Sequence, residues 1–269
     1  MEAHLKQLVK AKSFIRRAAN IHAITTSARQ LLWDEHLGEK LDTNPDVLGV
    51  PGGTVCLKTG AHRLGKQEDY VATAISTQYR GLELPTPAID AFIHSVFENE
   101  EVARFLQKLL GYAITAHTKE QKWLICHGVG SNGKGVLGTL LESVFEEYYV
   151  TMDPDCLIKR GRPQSKNAPT PYLADLKGRR IAVCDELPED VDGAQPALDD
   201  DIVKRATGET KIIARHLHGN PIHFMPTHFA ILLTNFRPKV NVDDDAMMRR
   251  ILFLPFNLQF KEPHKCSFP

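Results

Sequence analysis

Residues 123–136 read Trp123-Leu124-Ile125-Cys126-His127-Gly128-Val129-Gly130-Ser131-Asn132-Gly133-Lys134-Gly135-Val136. The first four form an unbroken apolar run, the pattern of a strand in a sheet covered on both faces. Val136, Leu137, Leu140, Leu141, Val144 and Phe145 then recur at helical spacing, so a helix is expected from 133 to 148 with these residues facing inward. Between strand and helix, residues 128–134 fit GxxxxGK. Glycines there let backbone N–H groups turn inward around phosphate oxygens, the helix adds the positive end of its dipole, and the lysine reaches the β- and γ-phosphates. The expected phosphate-binding set is Gly128, Gly130, Ser131, Asn132, Gly133, Lys134, Gly135 and Val136.

One departure stands inside the motif. The Ser or Thr that usually follows the lysine and ligates magnesium is Gly135. Magnesium must then be held by water or by acidic residues elsewhere.

Working outward, three more short apolar runs lie at 181–184, 231–234 and 251–254. The first ends in Asp185-Glu186. Carboxylates at the C-terminal end of a strand sit at the mouth of an α/β sheet, where ligands bind. Asp185 is expected to hold magnesium through water, and Glu186 to polarise an attacking water. The second run ends in Asn235, whose neutral amide can orient water and touch a γ-phosphate; the plainer alternative is a turn or cap residue. The acid pair follows the lysine by 51 residues (185 minus 134), and the asparagine follows the pair by 50 (235 minus 185). Arg249 and Arg250 precede the last run and are candidates for charge donation to a phosphoryl transition state, often from a neighbouring subunit. The alternative is an ion pair with the acidic run at 243–245, itself expected to be a solvated loop or a helix start.

Residues 203–225 carry Lys204, Arg205, Lys211 and Arg215 against Glu209, a local charge of +3 (4 minus 1). Alternation over 210–215, a turn at 217–220 and a return at 221–224 predict a β-hairpin with a basic, histidine-bearing tip. Such an element contacts phosphates without reading sequence. Lys211, Arg215, His216 and His218 are the expected contacts; metal binding by His216 and His218 would need more ligands than the stretch supplies. A second basic patch, 159–162, reads as a solvated loop.

The rest of the chain sets the frame. Residues 1–32 carry helical spacing, with Leu5, Leu8, Val9, Ile15 and Ala18 on one stripe. Residues 43–97 are turn-rich, and a helix from about 99 to 117 follows, with Val102, Phe105, Leu106, Leu109, Leu110, Ala113 and Ile114 on its apolar face. The expected division is a small α+β domain over 1–97 and an α/β core over 98–269. The 269 residues hold 33 Lys plus Arg and 33 Asp plus Glu, which excludes a uniformly basic, histone-like nucleic-acid binder but permits one local basic element. Five dispersed cysteines without a CxxC encode neither a disulfide framework nor a zinc ribbon, and a reducing compartment is expected. No signal peptide and no membrane-spanning run are expected.

Taken in order, Ser131-Asn132-Gly133-Lys134, Asp185-Glu186, Thr207-Gly208 with Ala214-Arg215-His216-Leu217, and Thr234-Asn235 with Pro238 resemble the superfamily 3 helicases, in the branch of phage, plasmid and poxvirus-type primase-helicases. Upstream, Asn44-Pro45, residues 49–53, residues 57–60 and Glu68-Asp69-Tyr70 resemble the small domain that precedes the helicase core in that branch, so the likeness spans roughly residues 30–260. It implies an AAA+-type core in a hexameric ring, with ATP and magnesium between subunits and the basic hairpin moving along single-stranded DNA. Lys134 would be the Walker A lysine, Asp185 and Glu186 the Walker B acids, Asn235 the sensor, and Arg249 or Arg250 the arginine finger, with Arg249 favoured. The sequence ends at Pro269, soon after the last expected core strand, and no primase domain is expected within it. It is expected to be a fragment, a truncated product or a minimal ATPase working in a cytoplasmic setting with a separate primase or other replication proteins. The alternative function is a nucleotide- and DNA-binding assembly module with little turnover; a small-molecule kinase is a third.

Overall fold

The computed structural model describes residues 2–159, 168–187, 197–208 and 210–261. Two compact units divide at Lys40 and Leu41. The first holds α1 (Glu2–Ile15), α2 (Ala18–Leu31) and the one-turn α3 (Leu37–Lys40). Leu5, Leu8, Val9 and Ile15 of the expected stripe are exposed.

The second unit begins with a small antiparallel sheet of β1 (Val47–Val50), β2 (Gly53–Cys56) and β3 (His62–Arg63). Gly53 is required where β2 starts. Its φ is +154°, and a Cβ would lie 2.0 Å from the Arg63 carbonyl oxygen. Then come α4 (Pro87–Val96) and α5 (Glu100–Ile114). Pro87 opens α4 with φ already set for a helix. Asn99 caps α5 by accepting from the Glu101 N–H at 2.8 Å, and Glu100 and Glu101 complement the dipole.

The core follows as β4 (Trp123–His127), α6 (Lys134–Phe145), β5 (Tyr149–Met152), α7 (Pro171–Ala174), β6 (Ile181–Asp185), α8 (Asp200–Thr207), the hairpin strands β7 (Ile212–Ala214) and β8 (Ile222–Phe224), β9 (Phe229–Thr234), α9 (Asp245–Met248) and β10 (Ile251–Pro255). Five of these strands make a parallel sheet in the order β10-β4-β9-β6-β5. The fold class is the expected one: α/β, with a five-stranded parallel sheet covered by helices.

The unbroken apolar runs are explained by burial on both faces. Leu124, Cys126, Ile181, Val183, Ile231 and Leu233 pack with α5 and α6; Trp123, Ile125, Ala182, Cys184, Ala230 and Leu232 pack with α7, α8 and the hairpin. Each fully buried Leu or Ile contributes about 1.5–3 kcal/mol. Burial also pushes the Cys126 thiol up to about 12, as suits a core residue. Three expected inward residues face solvent instead: Phe105 on α5, and Val136 and Val144 on α6 are 43%, 58% and 41% exposed. Both helices cover a sheet face on one side only, so their apolar stripes are broader than the surface that buries them.

Residues 44–49 and 73 are fastened to this sheet by two side chains. The buried Arg180 guanidinium donates to the carbonyls of Asn44 (3.0 Å), Pro45 (3.3 Å) and Val47 (2.8 Å) and lies 5.6 Å over the Tyr148 ring. The Tyr148 hydroxyl accepts from the Gly49 N–H at 3.1 Å and donates to the Thr73 carbonyl.

Candidate nucleotide site

The loop between β4 and α6 closes around its own lysine. Ser131 has φ +53°, Gly130 +21° and Gly133 +89°, which turns successive peptides inward. Gly133 precedes α6 without a side chain to cap it, and the Asn132 Oδ1 accepts from the Lys134 N–H at 3.4 Å. Glycine is required at 128, where a Cβ would lie 2.3 Å from both the Asn132 Nδ2 and the Phe256 carbonyl oxygen. Lys134 is 7% exposed, and its Nζ donates to the Gly128 carbonyl (2.6 Å), Asn132 Oδ1 (3.0 Å) and Asn235 Oδ1 (3.1 Å). Burial lowers its pKa from the ordinary lysine value, and the charges of Glu186 and Asp185 oppose that shift.

The acid pair stands at the end of β6 as expected, with both side chains exposed. Glu186 adopts φ +53°, an uncommon left-handed conformation for a non-glycine residue. Its Oε1 accepts from Asn235 Nδ2 at 3.3 Å, so Asn235 links Lys134 to Glu186 through its two amide ends. Gly130, Ser131, Asn132, Gly133, Lys134, Gly135, Val136, Asp185, Glu186, Leu233 and Asn235 line one cleft of about 340 Å³. Three strand ends thus bring together residues up to 105 positions apart (235 minus 130). Of the expected phosphate set, Gly128 stands behind the lining as the acceptor of Lys134. At Gly135 a Cβ would meet nothing within 4 Å, so the missing hydroxyl is not a steric requirement.

Arg249 and Arg250 are not brought to this cleft. They precede β10, at the N-terminal edge of the sheet, and the phosphate loop follows the C-terminal end of the neighbouring β4. A five-residue strand separates the two edges by about 16 Å. Both guanidiniums donate to the Gln121 Oε1, at 2.7 and 2.9 Å, and Lys122 donates to the Arg249 carbonyl. Sequence reading missed Gln121; its left-handed φ of +51° is invisible in the sequence. The acidic run does not pair with these arginines in the described contacts. Asp244 caps α9 and pairs with Lys204, and Asp245 begins the helix.

The basic hairpin forms as expected, with Ile213 opposite His223. Ile212, Ala214 and Phe224 are buried, whereas Lys211, His216, Leu217 and His218 are exposed and Arg215 is half-buried. His218 takes φ +59° at the turn. The hairpin precedes β9 in the chain, and its buried residues pack with Trp123, Ala182, Ala230 and Leu232 on one face of the sheet. Of the second basic patch, residues 160–162 lie outside the described residues. Among the described residues no helix is long and apolar enough to cross a membrane, and no cluster of three metal-ligating side chains occurs.

Comparison with known proteins narrows the reading. Residues 1–98 match the family model described as D5 N terminal like. It is 28% identical over 244 residues to a putative helicase of Acanthamoeba polyphaga mimivirus, covering 89% of this chain and 24% of that protein. It is 24% identical over 233 residues to primase D5 of Fowlpox virus, covering 83% of this chain and 29% of that protein. The chain therefore spans about a quarter of the length of the curated relatives it matches. The apo C-terminal region of NrS-1 shares the fold, with a TM-score of 0.56 at 15% identity over 84% of this chain and 48% of that one. The resemblance to the primase-helicases read from the ordered motifs is borne out.

Proposed function

We propose that this chain is the nucleotide-hydrolysing part of a DNA helicase or translocase used in replication of a virus, phage or plasmid, acting in the cytoplasm of a host cell. The observation that carries the reading is the convergence of Lys134, Asp185, Glu186 and Asn235 from three strand ends on one cleft. ATP phosphates would take the place of the acceptors Lys134 now holds. The buried ammonium and the inward-turned loop amides then face the β- and γ-phosphates. Glu186, exposed at the cleft wall, would accept a proton from the attacking water, and Asn235 would orient that water.

Magnesium fits a limited donor set: two exposed carboxylates and no hydroxyl at 135 suit an ion held mainly by phosphates and water, with Asp185 behind a bridging water. When bound, it neutralises charge on the phosphate oxygens. Arg249 and Arg250 would act in the cleft of a neighbouring copy, as a hexameric ring allows. Lys211, Arg215, His216 and His218 would contact single-stranded DNA, and a separate primase or other replication protein would complete the machinery. The test is ATP hydrolysis with and without single-stranded DNA. Stimulation by DNA supports the reading; wild-type protein that never hydrolyses ATP, with or without DNA, contradicts it.

Gly135 favours a second reading, a nucleotide- and DNA-binding assembly module with little turnover. Tight binding of both ligands without phosphate release would select it.

A further inference from the structure

The cleft has two ends, and the acid pair and Asn235 occupy only one. They stand on the β9 and β6 side of β4. A triphosphate held with its γ-end there must direct its nucleoside the other way, toward β10, which flanks β4 on the opposite side. What lies there is the chain leaving β10, residues 256–261. This strap is tied at three points to the end of β4 and the loop that follows it. The Phe256 N–H donates to the His127 carbonyl (2.7 Å), the Phe256 carbonyl accepts from Asn132 Nδ2 (3.3 Å), and the Phe260 N–H donates to the Ser131 carbonyl (2.7 Å).

The strap is aromatic where it meets the loop. A Cβ built on Gly133 would lie 3.5 Å from the Phe260 ring and 3.7 Å from that of Phe92 on α4. Phe92 is partly buried, whereas Phe260 is 47% exposed. Val136, three residues along α6 on the side of Gly133, is 58% exposed and lines the cleft. Val136 is thus an exposed apolar member of the cleft lining, and the Phe260 ring stands next to the lining residue Gly133, just beyond the cleft itself. Apolar surface at the rim of a phosphate cleft serves no phosphate; it suits a purine or pyrimidine ring.

We propose that residues 256–261 form the nucleoside end of the cleft, with the Phe260 ring as the surface on which the base stacks and Val136 as its neighbour. The inference rests on the nucleotide reading of the cleft and extends it to the base. Phe260 presents no hydrogen-bonding side-chain atom, so it contributes affinity for an aromatic ring.

The test compares ATP with inorganic tripolyphosphate, which has the phosphates but no base, each titrated with magnesium into the full chain. Phe260→Ala keeps the backbone N–H that anchors the strap and removes only the ring. The expected result is a loss of ATP affinity of roughly tenfold, with tripolyphosphate affinity unchanged and ATP affinity restored in Phe260→Trp. Equal losses for both ligands would reduce Phe260 to a support for the loop and overturn the proposal; so would no loss for either. Wild-type protein that binds neither ligand would overturn the nucleotide reading itself. That outcome is separate from a selective failure at the base.

Discussion

The two edges of the central sheet are built differently. At the C-terminal edge, side chains from distant segments meet: Lys134 is buried in a set of oxygen acceptors, and Asn235 connects it to Glu186. At the N-terminal edge, Arg249 is exposed and Arg250 buried, and both are held by Gln121 instead of a cleft; on the hairpin that leads into β9, Lys211, His216 and His218 are exposed. A single chain completes the first arrangement. Under the proposed function the second would act on something else, a second copy for the arginines and a phosphate backbone for the hairpin.

The sharpest way to break that contrast is to ask whether the arginines act across chains. Changing both Arg249 and Arg250 to alanine should lower DNA-stimulated ATP turnover by about 10³-fold. Mixing that variant with Lys134→Ala chains should recover part of it, because each supplies what the other lacks. Steady-state phosphate release on mixed samples checks this, and no recovery at any ratio would place the arginines in a role within their own chain.

The hairpin comes next. Lys211→Ala with His216→Ala should weaken single-stranded DNA binding by roughly tenfold and lower the slope of log affinity against log salt, because phosphate contacts release counterions. ATP affinity without DNA should not change. Fluorescence anisotropy across a salt series separates the two.

Acid should act between the hairpin and the sheet through His228, one residue before β9. Burial lowers its pKa to about 4, from an ordinary 6.5. The folded pKa lies below the unfolded one, so the neutral ring's contribution is complete above pH 6.5 and is lost as pH falls toward about 4, at up to about 1.4 kcal/mol per pH unit. His228→Gln should flatten that part of the pH dependence of urea midpoints.

The smallest expected effect is at Gly135. With nothing within 4 Å of a Cβ, Gly135→Thr should fold normally and supply the hydroxyl the motif lacks. Turnover should rise by roughly threefold and the magnesium requirement should fall, both read from magnesium titrations of ATPase rate.

Much of the cleft was legible from residue order, because strand, loop and helix are adjacent in sequence and the glycines, Lys134, Asp185 and Asn235 carry their chemistry in their types. The hairpin was legible for the same reason: its turn and alternation are local. What stayed hidden depends on distant contacts. Gln121 meets the arginines 128 and 129 residues away. Asn132 holds Phe256 across 124 residues, and Arg180 anchors Val47 across 133. Nor does the 3.6-residue period show where a helix's cover ends, which is why Val136 was expected inside and stands at the cleft mouth.

The central claim is that the converging edge hydrolyses ATP. Phosphate release by wild type and by Lys134→Ala, each with and without single-stranded DNA, tests it most directly. The account predicts DNA-stimulated release in the wild type, lowered by about 100-fold or more in the variant while hairpin binding to DNA persists. Equal release by both proteins would contradict it.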